Sequence, residues 1–214
     1  MSGTQGGETG RRRTRLPPHA REQEIVRAAI GFFAQNGFGG QTRELARELG
    51  VSQALIFRYF PTKEDLIERV YQEIFDNEWT PDLVPLMDRS RPLETRLTAF
   101  YQDYAGLILG HEYTRLLLFA ALGGVNFHER LFARIAAEIY PVVIDELRAH
   151  YGRPPLAECA VSQSEVEAVW GLHSAIFFVG VREHVFGLDV PPADGLVELK
   201  VRTFLQGVAA ALAG

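Results

Sequence analysis

Cysteine is nearly absent: Cys159 stands alone among 214 residues, which rules out an intramolecular disulfide or a multi-cysteine zinc site and fits a reducing cytoplasm. No stretch reaches the roughly eighteen consecutive apolar residues of a membrane span, and the first residues lack the apolar core of a signal peptide. A cytoplasmic protein with no membrane partner is therefore expected. Strand signals are missing as well, since no segment alternates apolar and polar residues, and neither a repeat nor a heptad run is present.

The usual catalytic signatures are also lacking. The chain has no HExxH, no glycine-rich phosphate loop after a strand, no GxSxG turn and no cysteine placed beside a histidine by motif. His111 with Glu112, His128 with Glu129, and Glu183 with His184 suggest metal ligands, but neighbouring residues on a helix do not share a face. No catalytic residue, metal or cofactor is assigned, and the chain is not read as an enzyme. A small-molecule enzyme on a helical scaffold, the rival reading, would need a nucleophile or a metal site.

What is present is a core and an uneven charge. At 47% hydrophobic, the chain can bury a sizeable interior, in one large or two small domains. The net charge of −5 appears unsuited to nucleic acid, yet it averages two unlike parts. Through Lys63 there are ten Lys and Arg against five Asp and Glu, or +5, and the rest of the chain carries −10. A basic head on an acidic body suits a head that binds DNA and a body that does not.

The basic part contains TRELARELGVSQALIFRYF, residues 42–60, which reads as two short helices joined by a tight turn. Leu45, Ala46 and Leu49 form a small apolar face, Gly50 can turn left-handed, and Ser52 can cap the second helix. In a helix-turn-helix the second helix enters the major groove, which makes residues 52–59 the candidate reading head. Before it, Ile25, Ala28, Ala29, Phe32 and Phe33 recur at helical spacing and Gly37 ends the run. After it, Pro61 stops the reading helix and Thr62 can cap a helix over 63–78 that links head to body.

Phe32, Phe33, Ala34, Gln35, Asn36, Gly37 and Phe38, then Arg43, Glu44, Leu45 and Ala46, Gly50, Val51 and Ser52, Ile56 through Phe60, and Lys63 through Leu66 occur together in one order. In this the chain resembles the DNA-binding domain of the tetracycline-repressor (TetR/AcrR) family of bacterial transcription regulators. It departs from the family in two places. The segment between Gly37 and Arg43 is one residue shorter, leaving Gly40, Gln41 and Thr42 all open as the cap of the second helix. Phe57 replaces a more usual tyrosine and is read as packing. The resemblance implies a ligand-responsive homodimeric regulator, most often a repressor, that binds a partly palindromic double-stranded operator and is released by a small hydrophobic effector. An activator or a partner-binding member of the family is the alternative.

The expected fold is all-α, with a disordered basic arm over 1–17 carrying Arg11, Arg12, Arg13 and Arg15, a helix-turn-helix domain over 18–78, and a helical effector-binding and dimerisation domain over 79–214. Residues 79–92 hold three prolines and read as an irregular connection; helices are expected at 93–109, 112–122, 129–151, 162–186 and 193–213. Arg43, Gln53 and Arg58 are the candidates for base edges, and Thr42, Tyr59 and Lys63 for phosphates. The last two helices are apolar nearly all round and need cover from a second copy, with Val169, Trp170, Phe177, Val181, Phe204 and Val208 as the expected dimer interface. Tyr101, Tyr104, Phe119 and His173 are the expected effector lining, with a protein partner expected for the His173 ring.

Overall fold

The computed structural model describes residues 17–76 and 82–211. Residues 1–16, which hold nearly all of the expected basic arm, and residues 77–81, where the domain boundary was expected, lie outside the described residues. The described residues form helices and no strand: α1 (Pro18–Asn36), α2 (Thr42–Leu49), α3 (Gln53–Tyr59), α4 (Lys63–Tyr71), α5 (Val84–Met87), α6 (Leu93–Ile108), α7 (His111–Leu122), α8 (Phe127–Glu138), α9 (Tyr140–His150), α10 (Gln163–His184) and α11 (Ala193–Ala211).

Local chemistry sets the head helices. Pro18 opens α1 at a position where a missing N–H costs nothing, and the Gly37 N–H closes the helix on the Phe33 carbonyl at 2.8 Å. Gly50 adopts φ 65° and ψ 37°, a left-handed turn that lets the Val51 N–H reach the Ala46 carbonyl at 2.9 Å. The Ser52 hydroxyl accepts from the Leu55 N–H at 3.2 Å, capping α3. Thr62 and Asp65 cap each other's backbone at the start of α4. Each such cap contributes about 1 kcal/mol. At α2, Gln41 occupies the cap position without a side-chain bond, and Thr42 is already helical.

Ile25, Phe32 and Phe33 of α1, Leu45 and Ala46 of α2, Ile56 of α3, and Leu66 and Val70 of α4 make the head core. That core runs on into the body through an aromatic cluster. Tyr71 stacks on Phe75 with ring centres 5.4 Å apart, and Phe127 of α8 lies within 5.6 Å of Phe38, Tyr71 and Phe75.

In the body, α6 packs on α11, α10 on both α11 and α7, and α8 between α7 and α9. Two buried ion pairs tie its segments together. Arg96 of α6 meets Glu146 of α9 at 2.6 Å, and Arg89 closes on the same carboxylate at 2.9 Å. Arg148 of α9 grips Glu165 of α10 at 2.6 and 2.7 Å and donates to the carbonyls of Cys159 and Ala160, pinning the connection between the two helices. The Arg148 guanidinium holds the Glu165 carboxyl down to about 2, against the opposing effect of burial. For Glu146, burial pushes the carboxyl up, but the bonds from Arg89 and Arg96 outweigh it and the net shift is downward.

Three expectations about elements need correction. The single helix over 129–151 is two, α8 and α9, because Pro141 lacks the N–H that would continue the ladder. The linking helix is α-helical only to Tyr71 and continues as a π-helical turn, Gln72–Asp76, with Phe75 buried. The connection expected to be irregular contains α5, opened by Pro85 in its first turn.

Candidate nucleic-acid interface and effector site

The reading unit is preformed by its own turn chemistry. Arg43 on α2 and Arg58 on α3 are exposed, and the Arg58 guanidinium lies 5.5 Å from the Tyr59 ring centre. Tyr59 also packs against the core along one side. Gln53 is half-buried and its amide donates to the Thr42 hydroxyl at 3.2 Å, bridging the first turns of α3 and α2. Thr42, expected at a phosphate, is only 7% exposed, and its hydroxyl accepts from Gln53. Phe57 is half-buried.

Lys63 breaks the preference for acids at a helix start, and the structure supplies a reason inside the chain. Its ammonium donates to the Phe38 carbonyl and lies 5.9 Å from the Phe33 ring centre. An ammonium has three N–H groups, so one bond to Phe38 leaves donors for an anion.

In the body the structure gathers three of the four expected effector residues. Tyr101, Tyr104 and His173 are buried, with the Tyr104 and His173 rings 5.2 Å apart and those of Tyr101 and Tyr104 6.3 Å apart. Phe119 is not with them. Its ring rests beside Gly37 and 5.1 Å from the Arg115 guanidinium, at the seam between α1 and α7, apart from the other three.

Two residues assigned to a dimer interface belong here instead. Trp170 stacks on His173 with ring centres 6.0 Å apart, and Phe177 joins both in lining a cleft of about 50 Å³ with Ile108, Phe132 and Ser174. Val169 and Val181 are also corrected: they are buried within their own chain, because α10 is covered by α11, α6 and α7, whereas Val208, although buried, borders the groove between α10 and α11. Phe204 stays half-buried, while Phe178 and Leu199 are about half exposed.

The polar atoms of this region are unusually poor in partners. The Tyr101 and Tyr140 hydroxyls and His173 Nδ1 are buried with no hydrogen-bond partner among the described residues, against the expectation of a protein partner for His173. Each such group costs about 1–3 kcal/mol. Burial lowers the His173 pKa to about 4 and raises those of Tyr101 and Tyr140, so all three are neutral near pH 7. Tyr140 was missed in the sequence; its place before Pro141, at a helix break, was the available signal.

Arg115 was missed too, although a lone cation in the apolar run of α7 marks it. It donates to the carbonyls of Ala34 and Gln35 at the end of α1 and to that of His184 at the end of α10. The carbonyls at a helix C-terminus lack intrahelical donors, and one guanidinium here serves two helices. Arg130 of α8 makes a second tie, bonding Glu68 of α4 at 2.8 Å and lying 3.8 Å from the Tyr71 ring centre.

Of the His and Glu pairs, the structure brings the His111 and His184 rings to 5.6 Å, and His184 Nε2 donates to the Leu109 carbonyl at 2.8 Å. Among the described residues no group of three or more His, Cys, Asp or Glu side chains is placed to hold a metal. No helix among them is long and apolar enough to cross a membrane.

Known proteins share this arrangement of a helix-turn-helix head and an all-helical body. Residues 25–70 match the family described as bacterial regulatory proteins, tetR family. The HTH-type transcriptional regulator LuxR of Vibrio harveyi is 42% identical over 65 residues, 30% of this chain and 32% of that protein. The HTH-type transcriptional regulator RutR of Escherichia coli K12 is 33% identical over 129 residues, 60% of this chain and 53% of RutR. The chain thus spans about half or less of these curated relatives.

A TetR-like transcriptional regulator from Rhodococcus sp. RHA1 matches with a TM-score of 0.65 at 20% identity, over 90% of this chain and 100% of that one. A TetR family transcriptional regulator from Pseudomonas syringae pv. tomato DC3000 gives 0.57 at 20% identity, over 90% and 97%. At these identities the likeness is one of fold. The head, residues 25–70, is thus similar to the tetR family of bacterial regulatory proteins, and the chain shares its fold with solved regulators described as TetR-like.

Proposed function

We propose that the protein is a homodimeric one-component transcriptional regulator, acting as a repressor, whose head binds a partly palindromic operator and whose body lowers that affinity when it takes up a small effector. The observation that carries the reading is the exposed pair Arg43 and Arg58 on a capped, short helix pair in the basic part of an otherwise acidic chain. Arginine suits guanine edges, and Gln53, held by Thr42, keeps its amide oxygen for a base contact. Lys63 and Tyr59 are assigned to phosphates. The likeness to the transcriptional regulators LuxR and RutR supports the assignment.

The proposed dimer pairs α10 and α11 with their mates across the groove where Ala168, Gly171, Ala175 and Gly207 keep side chains small and Leu199 and Phe204 supply apolar surface. A symmetric pair of heads needs reading helices about 34–36 Å apart, or a multiple of that, to enter successive major grooves. Effector binding near His173 reaches the head along α10, through the His184 carbonyl to Arg115 and the end of α1.

Gel shift on the DNA upstream of the protein's own gene tests this. Wild type is expected to retard that DNA in preference to unrelated duplex. Lys63→Ala should weaken binding to all sequences alike and reduce the salt slope by about one, whereas Gln53→Ala should alter which operator is preferred. Equal retardation of specific and unrelated DNA would overturn the proposal.

A further inference from the structure

The geometry points to a separate small-molecule site in the body, a cleft between the α5–α6 connection, the end of α9 and α11, which takes a ligand carrying an oxyanion (a carboxylate or a phosphate) on a small apolar frame. It shares no residue with the cleft beside His173, so it does not rest on the effector reading.

The cleft holds about 690 Å³, within the range of small-molecule sites. Arg89, Arg91, Arg96 and Arg202 border it together with His150, and among the described residues Glu94 is the one acid on its wall. Arg96 is 4% exposed, yet its guanidinium is only partly engaged. Nε donates to the Arg91 carbonyl at 3.0 Å, and Nη1 to Glu146 at 2.6 Å and to the Leu86 carbonyl, which leaves Nη2 without a hydrogen-bond partner among the described residues. Arg91, set beside it by the first of these bonds, is exposed, and its side chain makes no hydrogen bond or ion pair among the described residues.

Nearby carboxylates do not supply the missing acceptors. Glu146 is already shared by Arg89 and Arg96, and Glu198 sits 3.6 Å from Arg202. Asp88 accepts from the backbone and hydroxyl of Ser90, and Asp145 accepts from the Leu156 N–H. The start of α6 adds to the same space: Pro92 opens a sixteen-residue helix with no side-chain cap, and the N–H groups of its first turn favour negative charge. A guanidinium meets a carboxylate or phosphate edge with two parallel bonds, so an oxyanion fits where a cation is repelled. Leu93, Tyr151 and Leu205 make part of the wall apolar, with the Tyr151 hydroxyl tied to the Leu205 carbonyl at 2.7 Å.

Isothermal titration calorimetry on the full chain at fixed ionic strength, with phenyl phosphate, benzoate, inorganic phosphate and benzylammonium as probes, tests this. Phenyl phosphate or benzoate is expected to bind saturably, about tenfold or more tighter than benzylammonium, and the tighter of the two identifies the oxyanion. Inorganic phosphate should bind more weakly than phenyl phosphate because it leaves the apolar wall untouched. Arg91→Gln should weaken binding by about fivefold and Glu94→Gln should tighten it by a similar factor. Both side chains are exposed, so circular dichroism is expected to stay unchanged. No saturable binding of either ring-bearing anion, equally tight binding of benzylammonium, or affinities that neither substitution moves overturns the inference. Inorganic phosphate binding as tightly as phenyl phosphate refutes the apolar frame.

Discussion

In the head, the caps that open α3 and α4 are made by side chains three positions away; in the body, the buried charged groups pair across the fold and two tyrosine hydroxyls find no partner among the described residues. Ser52 caps a residue three positions on, and Thr62 and Asp65 serve each other over the same interval. Arg96 and Glu146 are fifty positions apart, Arg89 and Glu146 fifty-seven, and the Tyr101 and Tyr140 hydroxyls end without a partner among the described residues. A head whose helix starts are capped by its own turns suits the reading unit proposed for it. A body that leaves buried polar atoms unmatched has something to gain by binding.

The sharpest way to break this contrast is to unpair the body. Glu146→Ala strands Arg96, 4% exposed, without its counter-charge. A loss of about 3–5 kcal/mol is expected in urea unfolding. A loss below about 1 kcal/mol would mean the long-range pair is not what holds α5, α6 and α9 together.

A smaller effect, with a defined sign, comes from His173. Its folded pKa of about 4 lies below the ordinary 6.5, so between those values the unfolded chain takes up a proton that the folded chain refuses. Stability should therefore fall as pH drops from about 6.5 to about 4, by on the order of 3 kcal/mol across the window. Urea midpoints measured against pH for wild type and His173→Phe check this, with the variant expected to lose that part of the acid slope. An unchanged slope would show that the ring is hydrated or partnered. Glu165 acts at lower pH: its stabilisation is present above about 4.5 and is lost as pH falls toward about 2.

The smallest expected effect belongs to the head. Thr62→Ala removes one half of a capping box and should cost about 1 kcal/mol, read as faster amide exchange in the first turn of α4. Exchange spreading through α1 to α3 as well would show that the head's satisfaction is less local than its hydrogen bonds suggest.

The same contrast explains what could be read in advance. Gly50, Ser52, Pro61 and Thr62 announced the helix-turn-helix because turn and cap preferences act over three or four residues. Pro141 broke an expected long helix by the same short-range rule and was overlooked within an otherwise apolar period. Phe119 stands apart from Tyr101, Tyr104 and His173, which the sequence grouped with it, because an aromatic on an apolar helix looks alike whether it faces the body interior or the seam with α1. Thr42 shows the same limit at smaller scale: the sequence offered it as a phosphate candidate, and only the packing of α3 against α2 shows that it is buried and bonded to Gln53.

Sequence alone determined the helical class, the positions of most helices, the basic head and acidic body, and the turn that builds the reading unit, since all depend on composition or on neighbours a few residues apart. Tertiary structure decided that Val169 and Val181 face inward, that Trp170 and Phe177 join His173, that Arg115 ties the ends of α1 and α10, and that Tyr101 and Tyr140 are left with unmatched hydroxyls. These facts depend on which helix faces lie opposite one another, and helical periodicity specifies a face without specifying what will cover it.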